Sequence, residues 1–309
     1  MAFVLFLLSL ALVVKSAQFA ITYSSSLARG LGLTRYSMGF LVIAFISILP
    51  ETFIALISAA QGNPEFGLGT LFGSNVADLT FVFFMTVLAT KNGLFISEGI
   101  LHKNRFYLPV LALPLLLGWD GAFTRVDGAL LILLGGLFYY YLIRKDCFGQ
   151  KGTVRFKINW RHLAALILSM ALLLISANWT VHYGTSAAEQ WGLHPVLISL
   201  IFVGLGTTLP EMFFAIQAVR KKHYGLATGD LLGTVISDAT MVVGAMALIQ
   251  PFSFDPFLIY GTGMAMLIAG VMLFWCMHTG RRLSLKEGAF LLFVYLVFIA
   301  VEVSVRQIS

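Results

Sequence analysis

The sequence predicts an all-α membrane protein of ten transmembrane helices arranged as two inverted five-helix repeats. Three observations predict it. Apolar residues make up 59% of the 309 residues and charged ones 11%, against about a quarter charged in soluble domains, so lipid has to be the main solvent. Runs long enough to cross a hydrocarbon core, which takes roughly 20 apolar residues each, recur ten times. The second half of the chain repeats the first at one constant offset.

The expected spans are residues 2–24, 37–60, 67–90, 106–119, 126–143, 162–182, 195–219, 225–249, 257–278 and 286–304. The first could be taken for a signal peptide, since an apolar run precedes small residues. It lacks a basic leading segment, and its pattern recurs in mid-chain, so it reads as a spanning helix. The fourth is short and interrupted by Pro109 and Pro114. Trp119, Trp160 and Trp191 fall near span ends, as an aromatic belt requires.

Charge fixes the expected orientation. With the N-terminus outside, the inner loops hold Arg29, Arg35, Lys91, Lys103, Arg105, Arg220, Lys221, Lys222, Arg281, Arg282 and Lys286, and the central loop adds Arg144, Lys145, Lys151, Arg155, Lys157 and Arg161. Outside there remain Arg125 and Arg306, with Lys15 inside the first span. The ratio of 17 to 2 is a positive-inside signal that puts both termini outside. It also accounts for the net charge of +6 without a nucleic-acid partner. The bilayer is the expected surrounding, that of a cell (inner or plasma) membrane, and no obligate protein partner is expected.

Shifting the chain by 160 residues lays 8–33 over 168–193, Leu49-Pro50-Glu51 over Leu209-Pro210-Glu211, Gly73 over Gly233, and Asp78 over Asp238. The units are 1–143 and 162–309, joined by a basic cytoplasmic loop, 144–161. Five spans per unit is odd, so the second unit enters from the opposite side. Secondary transporters are commonly built this way, with the site at the repeat interface near mid-membrane.

Glu51, Glu211, Asp78 and Asp238 lie about halfway along spans two, seven, three and eight. A carboxylate at a helix centre costs about 2.5–3.5 kcal/mol, so four cost on the order of 10 kcal/mol. A cation, a proton or a basic partner has to offset that, and Lys15 is the sole basic residue in the spans. Protonated acids joining helices are the structural alternative, but the repeated placement favours a shared cation site. Pro50 and Pro210 each lack an N–H and disturb the preceding turn, which is expected to break both helices and free carbonyl oxygens near 44–47 and 204–207. Ser47, Thr207 and Thr208 precede the glutamates on the same helical face, and Ser74 and Thr234 precede the aspartates. Gly69, Gly73, Gly229 and Gly233 allow close helix contact. Such a set of hard oxygens suits Ca²⁺ or Na⁺ rather than zinc or copper.

Residues 47–51 (Ser-Ile-Leu-Pro-Glu) followed by 69–78, and 206–211 (Gly-Thr-Thr-Leu-Pro-Glu) followed by 229–238, resemble the two alpha repeats of the calcium/cation antiporter superfamily, which includes the sodium/calcium exchangers. The resemblance covers the whole chain. It implies a secondary active antiporter exchanging Ca²⁺ for Na⁺ by alternating access. It also implies that Glu51 and Glu211 are the central Ca²⁺ ligands and that Asp78, Asp238, Ser47, Thr207, Thr208, Ser74 and Thr234 flank them. No cofactor is implied beyond the transported ions, Ca²⁺ and Na⁺ or H⁺. Three departures leave the counter-ion open: Ile48 stands where the family has a hydroxyl, Gly233-Thr234-Val235 replaces Gly-Ser-Asn, and Asp78 stands where an exchanger often has Asn. A Ca²⁺/H⁺ antiporter is the alternative, and a cation channel a more distant one.

Asp230 matches Thr70 across the repeat and reads either as lining the cytoplasmic approach to the site or as facing water near a helix start. Lys15 is expected to snorkel to the interface. Cys147 and Cys276 show no metal-ligand spacing and are expected to form no disulfide. An intramembrane protease or another enzyme is not expected: no Gly-x-Gly-Asp surrounds either aspartate, and no His-Glu-x-x-His occurs.

Overall fold

Every backbone N–H and C=O inside a bilayer needs an internal partner, and apolar runs of this length meet that need as helices. The computed structural model describes residues 2–28, 36, 38–90, 93–97, 100–101, 104–146, 160–192, 195–256 and 259–306. Arg29, Arg35, Lys91, Lys103, Cys147 and most of the central basic loop lie outside the described residues.

The helices of the first half are α1 (Ala2–Ala28), α2 (Gly39–Ser47), α3 (Leu49–Ala60), α4 (Pro64–Leu88), the short α5 (Tyr107–Leu111) and α6 (Leu113–Leu117), and α7 (Arg125–Asp146). Those of the second are α8 (Trp160–Trp191), α9 (Val196–Arg220), α10 (Tyr224–Ile249), α11 (Tyr260–His278) and α12 (Leu285–Arg306). Among the described residues, seven helices are long and apolar enough to cross a membrane, or eight if α2 and α3 form one bent span. The segment with Pro109 and Pro114 is a pair of five-residue helices, as two prolines so close together require.

Four two-residue strands add a feature that an all-helical expectation omits. β1 (Leu94–Phe95) pairs antiparallel with β4 (Arg282–Leu283), and β2 (Ala122–Phe123) pairs with β3 (Phe252–Ser253). Each ladder joins a loop of one half to a loop of the other. Helix packing is reciprocal in the same way. Helix α2 packs on α10, while the Ser199–Val203 turn of α9 packs on α4. Likewise α7 packs on the end of α10, and α12 on the end of α4.

Glycines make the closest of these contacts possible. A Cβ at Gly73 would overlap the Leu200 carbonyl oxygen, and one at Gly233 the Phe40 carbonyl oxygen. Those pairs correspond at the 160-residue offset, so both halves use the same contact against the other.

Burial sorts the helices. In α4 and α10, 78% of the spanning window is buried, against 28% in α7 and α12. The aspartate-bearing helices therefore form the centre, and α7 and α12 face outward with exposed Leu133, Leu137, Phe293 and Leu296. The hydrophobic interior falls into two clusters. The larger runs through α4, α10, α11 and their neighbours. The smaller is built from Phe6, Leu10 and Val13 of α1 with Leu173, Ala177 and Val181 of α8, resting on Ile54, Phe66, Ile198 and Val203. Helices α1 and α8 thus pair along their lengths as a unit beside the bundle.

Candidate cation site

The site begins with the turns that carry the acids. In α4 and α10 the helix widens to a π-helical turn at Asp78–Val82 and again at Asp238–Val242. Single π turns within α-helices often mark functional positions. Here each one starts on the aspartate.

The two proline helices differ, contrary to the expectation that both would break. Helices α2 and α3 meet at Ile48 with a 51° bend, whereas the helix from Gly204 to Arg220 continues through Pro210. The hydroxyls of the two helices differ as well. Thr207 donates to the Val203 carbonyl at 3.0 Å and Thr208 to the Leu205 carbonyl at 2.9 Å; the carbonyl that Pro210 leaves without its N–H is that of Gly206. In the first half Ser47 donates to the Ala44 carbonyl at 3.1 Å, and Ile48 has no hydroxyl to offer.

All nine candidate residues are buried: Glu51, Glu211, Asp78, Asp238, Ser74, Thr207 and Thr234 have no exposed surface, and Ser47 and Thr208 have 1%. They come together across the halves. Thr207 of the second half faces Glu51 of the first, Ser74 faces Asp238, and Asp78 faces Glu211. Glu211 lies within electrostatic reach of Asp78, Glu51, Asp230 and Asp238.

Both oxygens of Glu51, Asp78 and Asp238 and Oε2 of Glu211 are buried without a hydrogen-bond partner. No Lys or Arg is buried among the described residues. Lys15 is exposed. A buried carboxylate left so is costly, and cations or protons are the species able to offset it. Among the described residues, no three His, Cys, Asp or Glu side chains draw together tightly enough to hold a metal ion. Hydroxyl and carbonyl oxygens would have to complete any shell.

Asp230 is the residue that the linear reading undervalued. It is fully buried and does not face water. Ser47 Oγ donates to its Oδ1 at 3.2 Å, Thr234 Oγ1 donates to Glu211 Oε1 at 3.4 Å, and the two hydroxyl oxygens stand 3.4 Å apart. The spacing held a signal for it: 230, 234 and 238 follow at four-residue steps on one helical face. Asn75 is a second such residue, buried between Ser74 and Asp78 with its Oδ1 unpartnered and its amide on the Met266 sulfur at 3.4 Å.

The sodium/calcium exchanger protein family model matches residues 1–144 and 161–303. The chain belongs to the sodium/calcium exchanger family. CaxA of Alkalimonas amylolytica is 28% identical over 94% of this chain and 95% of its own. The sodium/calcium exchanger MaX1 of Methanosarcina acetivorans is 21% identical over 97% of each. The fold is shared with the solved sodium-calcium exchanger NCX_Mj, with a TM-score of 0.71 at 18% identity over 97% of both chains. The protein is thus a multi-pass membrane protein of an ion-exchanger family, which is a family of transporters and not of enzymes. Cys276 is a free, buried thiol.

Proposed function

We propose that this family member exchanges Ca²⁺ for Na⁺ by alternating access, with Glu51 and Glu211 binding Ca²⁺ and the coupling ions in turn. Asp78, Asp238, Ser47, Thr207, Thr208, Ser74 and Thr234 flank the two glutamates. The observation that carries this reading is the set of buried acids that draw together across the two halves with seven of their eight carboxylate oxygens unpartnered. Four such charges cannot cross a membrane empty, so the loaded states are the ones that move.

The same reading takes the helices as ten spans in two inverted repeats with both termini outside. Reciprocal packing supports it, since contacts repeat between halves with the roles exchanged. The ladders support the orientation: β1 and β4 lie in loops assigned to the inside by charge, and β2 and β3 in loops assigned to the outside. The α1–α8 pair, with a hydrophobic cluster largely its own, is the element that would slide against the ion-binding bundle.

Reconstituted vesicles test the exchange. Reversing the Na⁺ gradient reverses ⁴⁵Ca flux if Na⁺ is the counter-ion. A response to a pH gradient with none to Na⁺ assigns H⁺ instead, the alternative that the missing hydroxyl at Ile48 favours. Flux without any counter-ion requirement would indicate a channel. Glu51→Gln and Glu211→Gln each abolish exchange while the protein stays monodisperse; transport persisting in both removes the central site.

A further inference from the structure

We propose that a file of buried water runs from Asn104, at the end of the bundle that charge assigns to the inside, past Tyr107 to Asp78, and that it passes water but not cations to and from the ion site. The role in transport rests on the exchange reading; the file itself does not. Its basis is a row of buried polar atoms without a hydrogen-bond partner. Asn104, just before α5, is 2% exposed, and its Oδ1 has no partner. Tyr107, the first residue of α5, has no exposed surface, and its hydroxyl has no partner either. Both oxygens of Asp78 continue the row. Tyr107 lies within electrostatic reach of Tyr36, Tyr139 and Asp78. Asn104 Nδ2 donates to the Tyr36 hydroxyl at 2.5 Å and to the Ile100 carbonyl at 2.9 Å. The Tyr139 hydroxyl shares a hydrogen bond with that of Ser237, next to Asp238.

Buried polar groups are nearly always hydrogen-bonded, to protein or to ordered water. A buried water takes about three polar partners, and the Asn104 side-chain oxygen, the hydroxyls of Tyr36 and Tyr107 and the Asp78 carboxyl supply them. The repeat does not call for these groups: at the 160-residue offset Val196, Ile299 and Ala77 stand where Tyr36, Tyr139 and Ser237 do. Short of Asp78 the file is lined, among the described residues, by neutral groups. The rings of Phe40 and Phe274 flank it, centred 5.7 Å from that of Tyr36 and 5.0 Å from that of Tyr107. A bare cation finds no charge there to replace its hydration. Water has a reason to move along it. Ca²⁺ takes about six to eight oxygen ligands and exchanges water for protein oxygens as it is enclosed. The water it sheds needs a way out while the ion's own passage is closed.

The test is X-ray hydroxyl-radical footprinting of the purified full chain in H₂¹⁸O, which reads water beside a side chain whether or not that side chain is exposed. Tyr140 is 61% exposed and Phe72 has no exposed surface. Tyr107 is expected to be modified within about threefold of the rate of Tyr140 and at least about tenfold faster than Phe72, as a residue beside ordered water should be. Asn104→Leu closes the file and is expected to cut labelling of Tyr107 about tenfold, with Tyr140 unchanged. A wild-type Tyr107 as protected as Phe72 overturns the file. Asn104→Leu, and Tyr107→Phe, which removes the hydroxyl alone, are each expected to slow ⁴⁵Ca exchange about 3- to 10-fold, the range of one net hydrogen bond. Equilibrium ⁴⁵Ca²⁺ binding should stay within about twofold in both, since neither residue meets the ion. Exchange rates unchanged in both variants overturn the role in transport. Labelled Tyr107 in wild-type protein that exchanges Ca²⁺ for no counter-ion overturns the exchange reading and leaves the file standing.

Discussion

Ile48 marks a position where the two halves differ in both shape and chemistry. Its counterpart is Thr208, whose hydroxyl holds the Leu205 carbonyl at 2.9 Å in an unbroken helix. Ile48 is 3% exposed and sits at the 51° bend. Replacing it with Thr restores a hydroxyl one helical turn before Glu51. We expect Ile48→Thr to strengthen Na⁺ activation of ⁴⁵Ca flux by about 2- to 10-fold, the range of one net hydrogen bond. Sodium titration of flux in vesicles measures it, and an unaltered half-saturation would show that the hydroxyl position is not part of the coupling-ion path. Residue identity made the missing hydroxyl visible in the linear chain. That one proline helix bends by 51° while the other runs unbroken was not visible, because a proline's effect on a helix depends on the packing around it.

At the scale of elements, the turn that ends each glutamate helix is repeated in detail. Gly62 and Lys222 both adopt left-handed backbone, with φ of 77° and 59°. The closing bonds match as well: Asn63 N–H donates to the Ser58 carbonyl and His223 N–H to the Ala218 carbonyl, both at 2.9 Å. Glycine takes this conformation without a steric penalty, while a side chain pays about 1–2 kcal/mol. Glycine loses about 0.5–1 kcal/mol in flexibility. Lys222→Gly is therefore expected to stabilise the protein by up to about 1 kcal/mol, and Gly62→Ala to destabilise it by a similar amount. Thermal unfolding of the purified protein in detergent checks both, and a lowered midpoint for Lys222→Gly would mean that its side chain makes a stabilising contact. The repeat predicted that these turns correspond. That a lysine would accept a glycine's conformation was decided by the geometry the two helices impose on so short a connection.

At the scale of the molecule, each of the two ladders joins a loop of residues 1–143 to a loop of residues 162–309. Paired cysteines test the topology with the native Cys147 and Cys276 replaced. Ala122→Cys with Ser253→Cys is expected to react with an impermeant thiol reagent added outside the cell, and Phe95→Cys with Arg282→Cys only after permeabilisation. Each pair consists of direct cross-strand partners, so mild oxidation should also form a disulfide within it, since opposed Cα atoms in an antiparallel ladder lie about 4.5–5.5 Å apart. Labelling of both pairs from one side would refute the inverted arrangement.

The sequence by itself determined that this chain lives in lipid as helices, and it displayed the 160-residue offset with the acids that the offset repeats. Those properties follow from local composition and from a fixed offset, and both are readable without distances. Tertiary structure decided which groups meet. Asp78 faces Glu211 and Ser74 faces Asp238 because each half packs its glycine-lined helix against the other. The same packing brings Ser47 to Asp230, 183 positions away in the chain, and turns an acid near a helix start into a buried one. Hydrophobic periodicity places a residue on a face of its own helix. What that face meets depends on how closely the helices approach, and here backbone contacts at Gly73 and Gly233 set that distance.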